Sequence, residues 1–167
     1  MNELSKKIIL IGNVNVGKTS MVARYVYQRF SDQYISTIGV RIDKKIIQIE
    51  DTQLNLILWD LAGESNQQNT PQSYFLGTGG IIYVVDLSSP PTFLNMEDDI
   101  EFLKGKIPNV PIIIAANKAD KLTPEQQQTN VKLMPIHPDF ITSVKDNKNV
   151  DDLFDKLGKN LIAAANL

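Results

Sequence analysis

Gly12-Asn13-Val14-Asn15-Val16-Gly17-Lys18-Thr19 has the spacing G-x-x-x-x-G-K-[ST]. The chemistry open to such a segment is the binding of polyphosphate. The glycines let the backbone turn its N–H groups inward, and a helix beginning at the loop's end adds the positive end of its dipole. Asn13, Val14, Asn15, Val16 and Gly17 would line that cradle, and Ser20 would join it from the first helical turn. Lys18 would reach the outer phosphates, and the Thr19 hydroxyl would ligate Mg2+. The apolar run 8–11 precedes the loop and a helix-like stretch runs from Lys18 to about Arg29, giving strand, glycine loop and helix in order. A chance match in a glycine turn is the competing reading, and the placement of strand and helix argues against it.

The loop alone does not choose a base. Further segments do. Trp59-Asp60-Leu61-Ala62-Gly63 closes the strand-like run 54–58 and fits D-x-x-G. Asn117-Lys118-Ala119-Asp120 follows the run 112–116 and fits N-K-x-D. Thr142-Ser143-Val144-Lys145 follows Phe140-Ile141, and Ser36-Thr37-Ile38-Gly39 lies between the first two elements. Spaced segments in one fixed order are far more specific than any one of them.

The elements that must hold these residues follow from periodicity. Residues 8–11 predict the first strand; 42–49 alternate as an edge hairpin strand, with Glu50-Asp51-Thr52 as turn and 54–58 as partner. The β-branched run 81–85 and the run 112–115 predict strands buried on both faces. Pro90-Pro91-Thr92 opens a helix to about Lys106, and Thr123-Pro124-Glu125 is a helix start with Thr as N-cap. Residues 140–143 predict a short strand. Apolar residues at 150, 153, 154, 157, 161 and 162 give helical spacing over 149–162. This alternation predicts an α/β fold, a mostly parallel six-stranded sheet with helices on both faces. Residues 29–40 and 63–80 lack a firm period and fall where loops follow the strands' carboxyl ends.

With these motifs the chain resembles a Ras-superfamily small GTPase, nearest the Rab and Ras-like branches, from Lys7 to about Ile162. The resemblance implies a P-loop G domain that binds GTP and GDP with Mg2+ and slowly hydrolyses GTP. It marks 29–40 as switch I and 63–80 as switch II, both expected to bind effector and regulator proteins. It implies Thr19 and Thr37 as metal ligands, Thr37 only with the γ-phosphate present, and Asp60 holding the metal through water. Gly63 would offer its N–H to the γ-phosphate. Lys18, Thr37, Gly63 and Glu64 make up the hydrolytic set. Asp120 would accept from N1–H and the exocyclic amine of guanine, Asn117 would hold N7, and the Lys118 stem would cover the base. Ser143, Val144 and Lys145 would complete the base site, with the Val144 N–H on O6. Phe30 matches the aromatic that packs against the base, and a plain core residue is its other reading.

Four departures from that pattern stand out. Glu64 replaces the catalytic glutamine. An amide both accepts and donates, whereas a carboxylate only accepts and sits near a polyanion. Val14 would crowd the space that a catalytic side chain and a partner's arginine must enter. Asn15 is unusual beside it. Ile35 stands two before Thr37, where some relatives carry a built-in arginine. Of the arginines, Arg24, Arg29 and Arg41, only Arg41 is a candidate finger in cis, against a solvated strand residue. Gln67 and Gln68 are the remaining stand-ins for the glutamine. Slow hydrolysis, or a GTP-loaded binding module without meaningful turnover, are the two functions these residues leave open. A P-loop ATPase or kinase is a distant third, opposed by Asp120. His137 reads as a loop residue, Trp59 as packing, and Glu97-Asp98-Asp99 as a solvated helix face.

The chain's 167 residues suit one domain, and a net charge of −2 gives no sign of nucleic-acid binding. Cysteine is absent, so no disulfide, thiolate metal site or cysteine nucleophile is possible, consistent with a reducing cytosol. No apolar run suits a membrane span or signal peptide, and the tail Ala163-Ala164-Ala165-Asn166-Leu167 carries no lipidation cysteine. The expectation is a cytoplasmic protein with no direct membrane anchor visible.

Overall fold

The computed structural model describes residues 1–166; Leu167, the end of the tail read above as lacking a lipidation signal, lies outside them. One six-stranded sheet runs through the molecule in the order β2-β3-β1-β4-β5-β6. The strands are β1 (Asn2–Gly12), β2 (Val40–Ile49), β3 (Thr52–Leu61), β4 (Thr78–Asp86), β5 (Ile112–Asn117) and β6 (Phe140–Ile141). The hairpin strand β2 is antiparallel to β3 and lies at the sheet edge; every other pairing is parallel. The hairpin turns at Glu50, whose φ is 51°.

The helices are α1 (Lys18–Tyr27), α2 (Met96–Lys106), α3 (Pro124–Leu133) and α4 (Val150–Ala165). Alternation along the strands divides their side chains between two cores. Ile8, Leu10, Leu54, Leu56 and Leu58 pack with Met21, Val22 and Tyr25 of α1 and Leu153, Phe154 and Leu157 of α4. Tyr25 and Phe154 stack at 3.7 Å, joining those two helices. On the opposite face Ile9, Ile11, Ile81, Tyr83 and Val85 meet Met96, Ile100 and Leu103 of α2, with Val131 of α3 at the margin. Burying such side chains contributes roughly 1.5–3 kcal/mol each, which is why the run 81–85 fixes the middle of the sheet.

Several boundaries differ from the sequence reading, each for a local reason. Helix α1 stops at Tyr27 because Gln28 turns left-handed, at φ 55°. The helix expected from Pro90 is broken. A 3-10 turn, Pro90–Phe93, precedes α2, and the Thr92 hydroxyl ties that turn to Asp86. Only Phe140–Ile141 pair as β6, although Thr142 N–H still reaches Ala116 O at 2.8 Å. The stretch after Gly63 contains 3-10 turns at Gln67–Asn69 and Gln72–Phe75. The Thr123 cap holds as expected, its hydroxyl on Gln126 N–H and the Gln126 side chain on Thr123 N–H. Asp99 is a correction. Glu97 and Asp98 face solvent, but Asp99 is 2% exposed.

From β1 the chain leaves toward β3 and β2, and from β4 toward β5 and β6. The carboxyl ends of β1 and β4 therefore flank a topological switch point, where such sheets bind ligands.

Candidate functional site

A cleft of about 750 Å³ opens at that point, lined by the glycine loop, residues 29–37, Gly63, and the segments around Asn117 and Val144. Its size suits a nucleotide-sized ligand.

At its floor Lys18 is 6% exposed, and its ammonium donates to Gly12 O at 3.0 Å and Asn13 O at 2.7 Å. The side chain closes the loop on itself and sets a cation beneath the backbone amides. Burial pushes Lys18 down to about 8, against the opposing pull of Asp60 and Glu64. Gly17 has φ 106°, and a Cβ there would lie 2.3 Å from Asn117 Nδ2. The glycine therefore admits Asn117, which donates to Val16 O at 3.0 Å and ties the phosphate loop to the base-side loop.

Thr19, Thr37 and Asp60 arrive from α1, switch I and β3 and meet. The two threonine oxygens are 2.8 Å apart, and the Thr19 hydroxyl donates to Asp60 Oδ2 at 2.6 Å. Asp60 Oδ1 is buried with no partner. Burial raises the Asp60 carboxyl above its ordinary value, partly offset by the Thr19 bond and the charges of Lys18 and Arg41. These oxygens, brought together from three separate elements, make up the candidate cation site. It fits Mg2+. Two oxygens at about 2.1 Å from the ion and at right angles to each other lie roughly 3 Å apart, and hard oxygen donors are what the ion takes. The unpartnered carboxylate oxygen could accept from a water on such an ion.

Gly63 lies against the phosphate loop. A Cβ on it would fall 2.5 Å from both N and Cα of Val14. The approach is continued by Glu64 N–H on Gly12 O at 3.2 Å. Val14 is half exposed and lines the cleft. The Glu64 side chain is not on the cleft wall, although its charge is felt by Lys18. Gln67 does not stand in for a glutamine at position 64. It is buried, and its amide donates to Glu64 O at 2.8 Å. Gln68 is exposed and also off the cleft wall. Arg41 does line the cleft, directly across the β2–β3 pair from Asp60.

At the base end Asp120 and Lys118 line the cleft. Asp120 Oδ1 accepts from the buried Ser143 hydroxyl at 2.8 Å. Lys118, left-handed at φ 64°, donates to Asn15 O and pairs with Asp86 at 3.4 Å. Phe30 lines the cleft and also packs against the α1–α4 core. The Val144 N–H donates to Asn117 Oδ1 at 3.2 Å, an oxygen that also accepts from the Thr142 hydroxyl at 3.0 Å. That long bond must be shared or given up before the amide can meet a base oxygen.

Sequence reasoning missed three residues. Arg24 donates to Val144 O at 3.0 Å and Lys145 O at 2.9 Å, clamping the base loop from α1. Asp86 anchors Lys118, and Asp99 accepts from the backbone of switch II. None belongs to a spaced motif, and a polar residue at the end of the buried β4 run was the only signal for Asp86.

Fold and cleft define a P-loop nucleotide-binding α/β domain. The model of the Ras family matches residues 7–163, and the chain belongs to that family of small GTP-binding switch proteins. It is 35% identical over 169 residues to the mouse Ras-related protein Rab-32, covering 94% of this chain and 75% of that protein. Rab-32C of Dictyostelium discoideum is 32% identical over 167 residues, covering 95% and 74%. Rab-13 of Canis lupus familiaris is 30% identical over 161 residues, covering 93% and 79%. Among the described residues no helix is long and apolar enough to cross a membrane.

Proposed function

We propose that this chain binds GTP and GDP with Mg2+ and hydrolyses GTP to GDP and phosphate at a low intrinsic rate. The convergence of Thr19, Thr37 and Asp60 from three separate elements supports this most strongly. Lys18 and the amides of 13–19 bind the phosphates, and the Thr19 and Thr37 hydroxyls hold the metal, with Asp60 behind them. Bound there, Mg2+ would neutralise charge developing between the β- and γ-phosphates. Gly63, seated against the Val14 backbone, presents its N–H to the γ-phosphate. Asp120 selects guanine by accepting from its N1–H and amine, with Asn117, Lys118, Phe30 and the 143–145 loop around the ring.

The low rate follows from position 64. A carboxylate accepts a proton or hydrogen bond from water but cannot donate toward the transition state, and it is repelled by the γ-phosphate. For Ras itself intrinsic hydrolysis is about 10⁻⁴ s⁻¹, and a partner's arginine adds about 10⁵-fold. We expect this chain to be no faster and, with Val14 half exposed in the cleft mouth, to resist that activation. The second reading, a protein that stays GTP-loaded and recruits partners, draws on the same two residues. Switch I offers partners Ile35 and Ile38, 76% and 93% exposed.

Denaturing the purified protein and resolving the released nucleotide by chromatography tests both. GDP supports the enzyme, GTP the loaded module, and no guanine nucleotide at all, together with no binding on addition, would sink both. A Glu64→Gln variant, followed in single turnover, then shows whether glutamate is the brake.

A further inference from the structure

We propose that Asp99 is a positioning residue: its buried carboxylate holds Gln67, and through Gln67 the peptide of Glu64, in the place from which position 64 governs GTP hydrolysis. This rests on the function proposed above.

Asp99 Oδ2 accepts from the Tyr83 hydroxyl at 2.6 Å, and Oδ1 accepts from the Gln67 N–H at 3.0 Å. Gln67, 1% exposed, then donates its side-chain amide to Glu64 O at 2.8 Å. Glu64 N–H donates to Gly12 O at 3.2 Å. A continuous chain of hydrogen bonds thus runs from the centre of β4, through α2, to the phosphate loop. Both peptide groups of Glu64 are held in it.

Packing does not require a carboxylate at position 99. Its neighbours Met96, Ile100 and Leu103 fill the same face of α2 with apolar atoms. Burying an ionisable group is unfavourable unless its oxygens are used, and here both are. Gln67 Oε1 is buried without a partner, so the side chain forgoes one bond to keep its amide on Glu64. Burial and the Asp99 contact both raise the Tyr83 phenol, which keeps it a donor. Asn95 adds a parallel tie from the start of α2, its amide on Ser65 O at 3.2 Å.

The test compares Glu64→Gln alone with the same change plus Asp99→Leu or Asp99→Asn, in the full chain. Single-turnover hydrolysis, GTP affinity and amide exchange of residues 64–70 are read together. The leucine double variant is expected to hydrolyse GTP at least about tenfold more slowly than Glu64→Gln, with affinity within about threefold. Exchange at 64–70 should be at least about tenfold faster. Asparagine should restore both, since its oxygen still accepts from Gln67 N–H and its amide can donate to Tyr83. Unchanged exchange, or faster exchange with unchanged hydrolysis, overturns the proposal. If Glu64→Gln brings no acceleration, the Asp99 variants are compared in the otherwise native chain on the same two readouts. If the leucine variant does not fold, Tyr83→Phe must raise exchange at 64–70 and slow hydrolysis, and no effect overturns the proposal. Failure to bind guanine nucleotide would sink the functional reading alone, because the exchange comparison still judges the tie.

Discussion

The two loops over the phosphate end are held in different ways. Switch I, 29–40, reaches the rest of the molecule mainly through Thr37 on Thr19 and through Gly39, whose carbonyl accepts from Ala62 N–H at 2.9 Å. At its start Phe30 packs against the α1–α4 core, and the pair Asp32–Lys145 at 3.8 Å joins two exposed side chains and contributes little. Switch II is fastened along its length. Gly63 sits on Val14, Asp99 accepts from Gln67 N–H, and the Asn95 side-chain amide donates to Ser65 O. Lys7 donates to Tyr74 O at 2.7 Å and Leu76 O at 2.8 Å, with its ammonium 3.6 Å from the centre of the Trp59 ring. Among the described residues, the one side-chain hydrogen bond that ties switch I to the rest of the molecule lies at the metal site, whereas switch II is tied to α2, β1 and the phosphate loop. Loss of the γ-phosphate should therefore loosen switch I far more than switch II.

The largest effect should come from the buried cation of the phosphate loop that both switches border. Lys18→Met removes a buried cation and two charge-assisted bonds that close the phosphate loop. Affinity for GDP should fall at least about 100-fold, or about 2.7 kcal/mol. Titration with a fluorescent guanine nucleotide checks this, and a change under about tenfold would remove Lys18 from the site. Gly63→Ala comes next, because its Cβ would collide with the Val14 backbone. Overpacking of this kind costs about 1–3 kcal/mol, so Tm should drop by a few to about 10 °C. An unchanged Tm would mean that switch II is not seated as described. Thr37→Ala breaks the other side of the comparison. It should weaken a non-hydrolysable GTP analogue with Mg2+ by about tenfold while leaving GDP within about twofold. Equal losses for both nucleotides would show that switch I does not sense the γ-phosphate.

The parts that could be read in the sequence are those that act through local backbone geometry. Lys18, Thr19, Asp60 and Asn117 declare themselves because a glycine loop and two strand ends fix their spacing. The run 81–85 declared a buried strand because nothing polar interrupts it. Switch I and switch II looked alike because neither has a period. What distinguishes them is a carboxylate on α2 and a lysine on β1, 32 residues after and 67 residues before their backbone partners. Asp99 read as solvated because it follows Glu97 and Asp98 in a run of acids. Its burial depends on where Tyr83 and Gln67 pack, which spacing along α2 does not report. Likewise the partner of the Val144 amide, the Asn117 oxygen, is set by how two loops meet.

The smallest expected effect is also the most specific to the tie on switch II. Burial raises the Asp99 carboxyl above its ordinary value, opposed by its bonds from Tyr83 and Gln67. A carboxyl that titrates higher in the folded chain than in the unfolded one binds more protons when folded across that window. Its contribution to stability is therefore full below the unfolded value and is lost as pH rises through the folded one. Asparagine does not titrate. The Tm of Asp99→Asn relative to the native chain should be highest near neutral pH and decline as pH falls toward the ordinary carboxylate value. Measuring both across that range cancels the other acids. A difference that instead grows as pH falls would mean that the two hydrogen bonds outweigh burial.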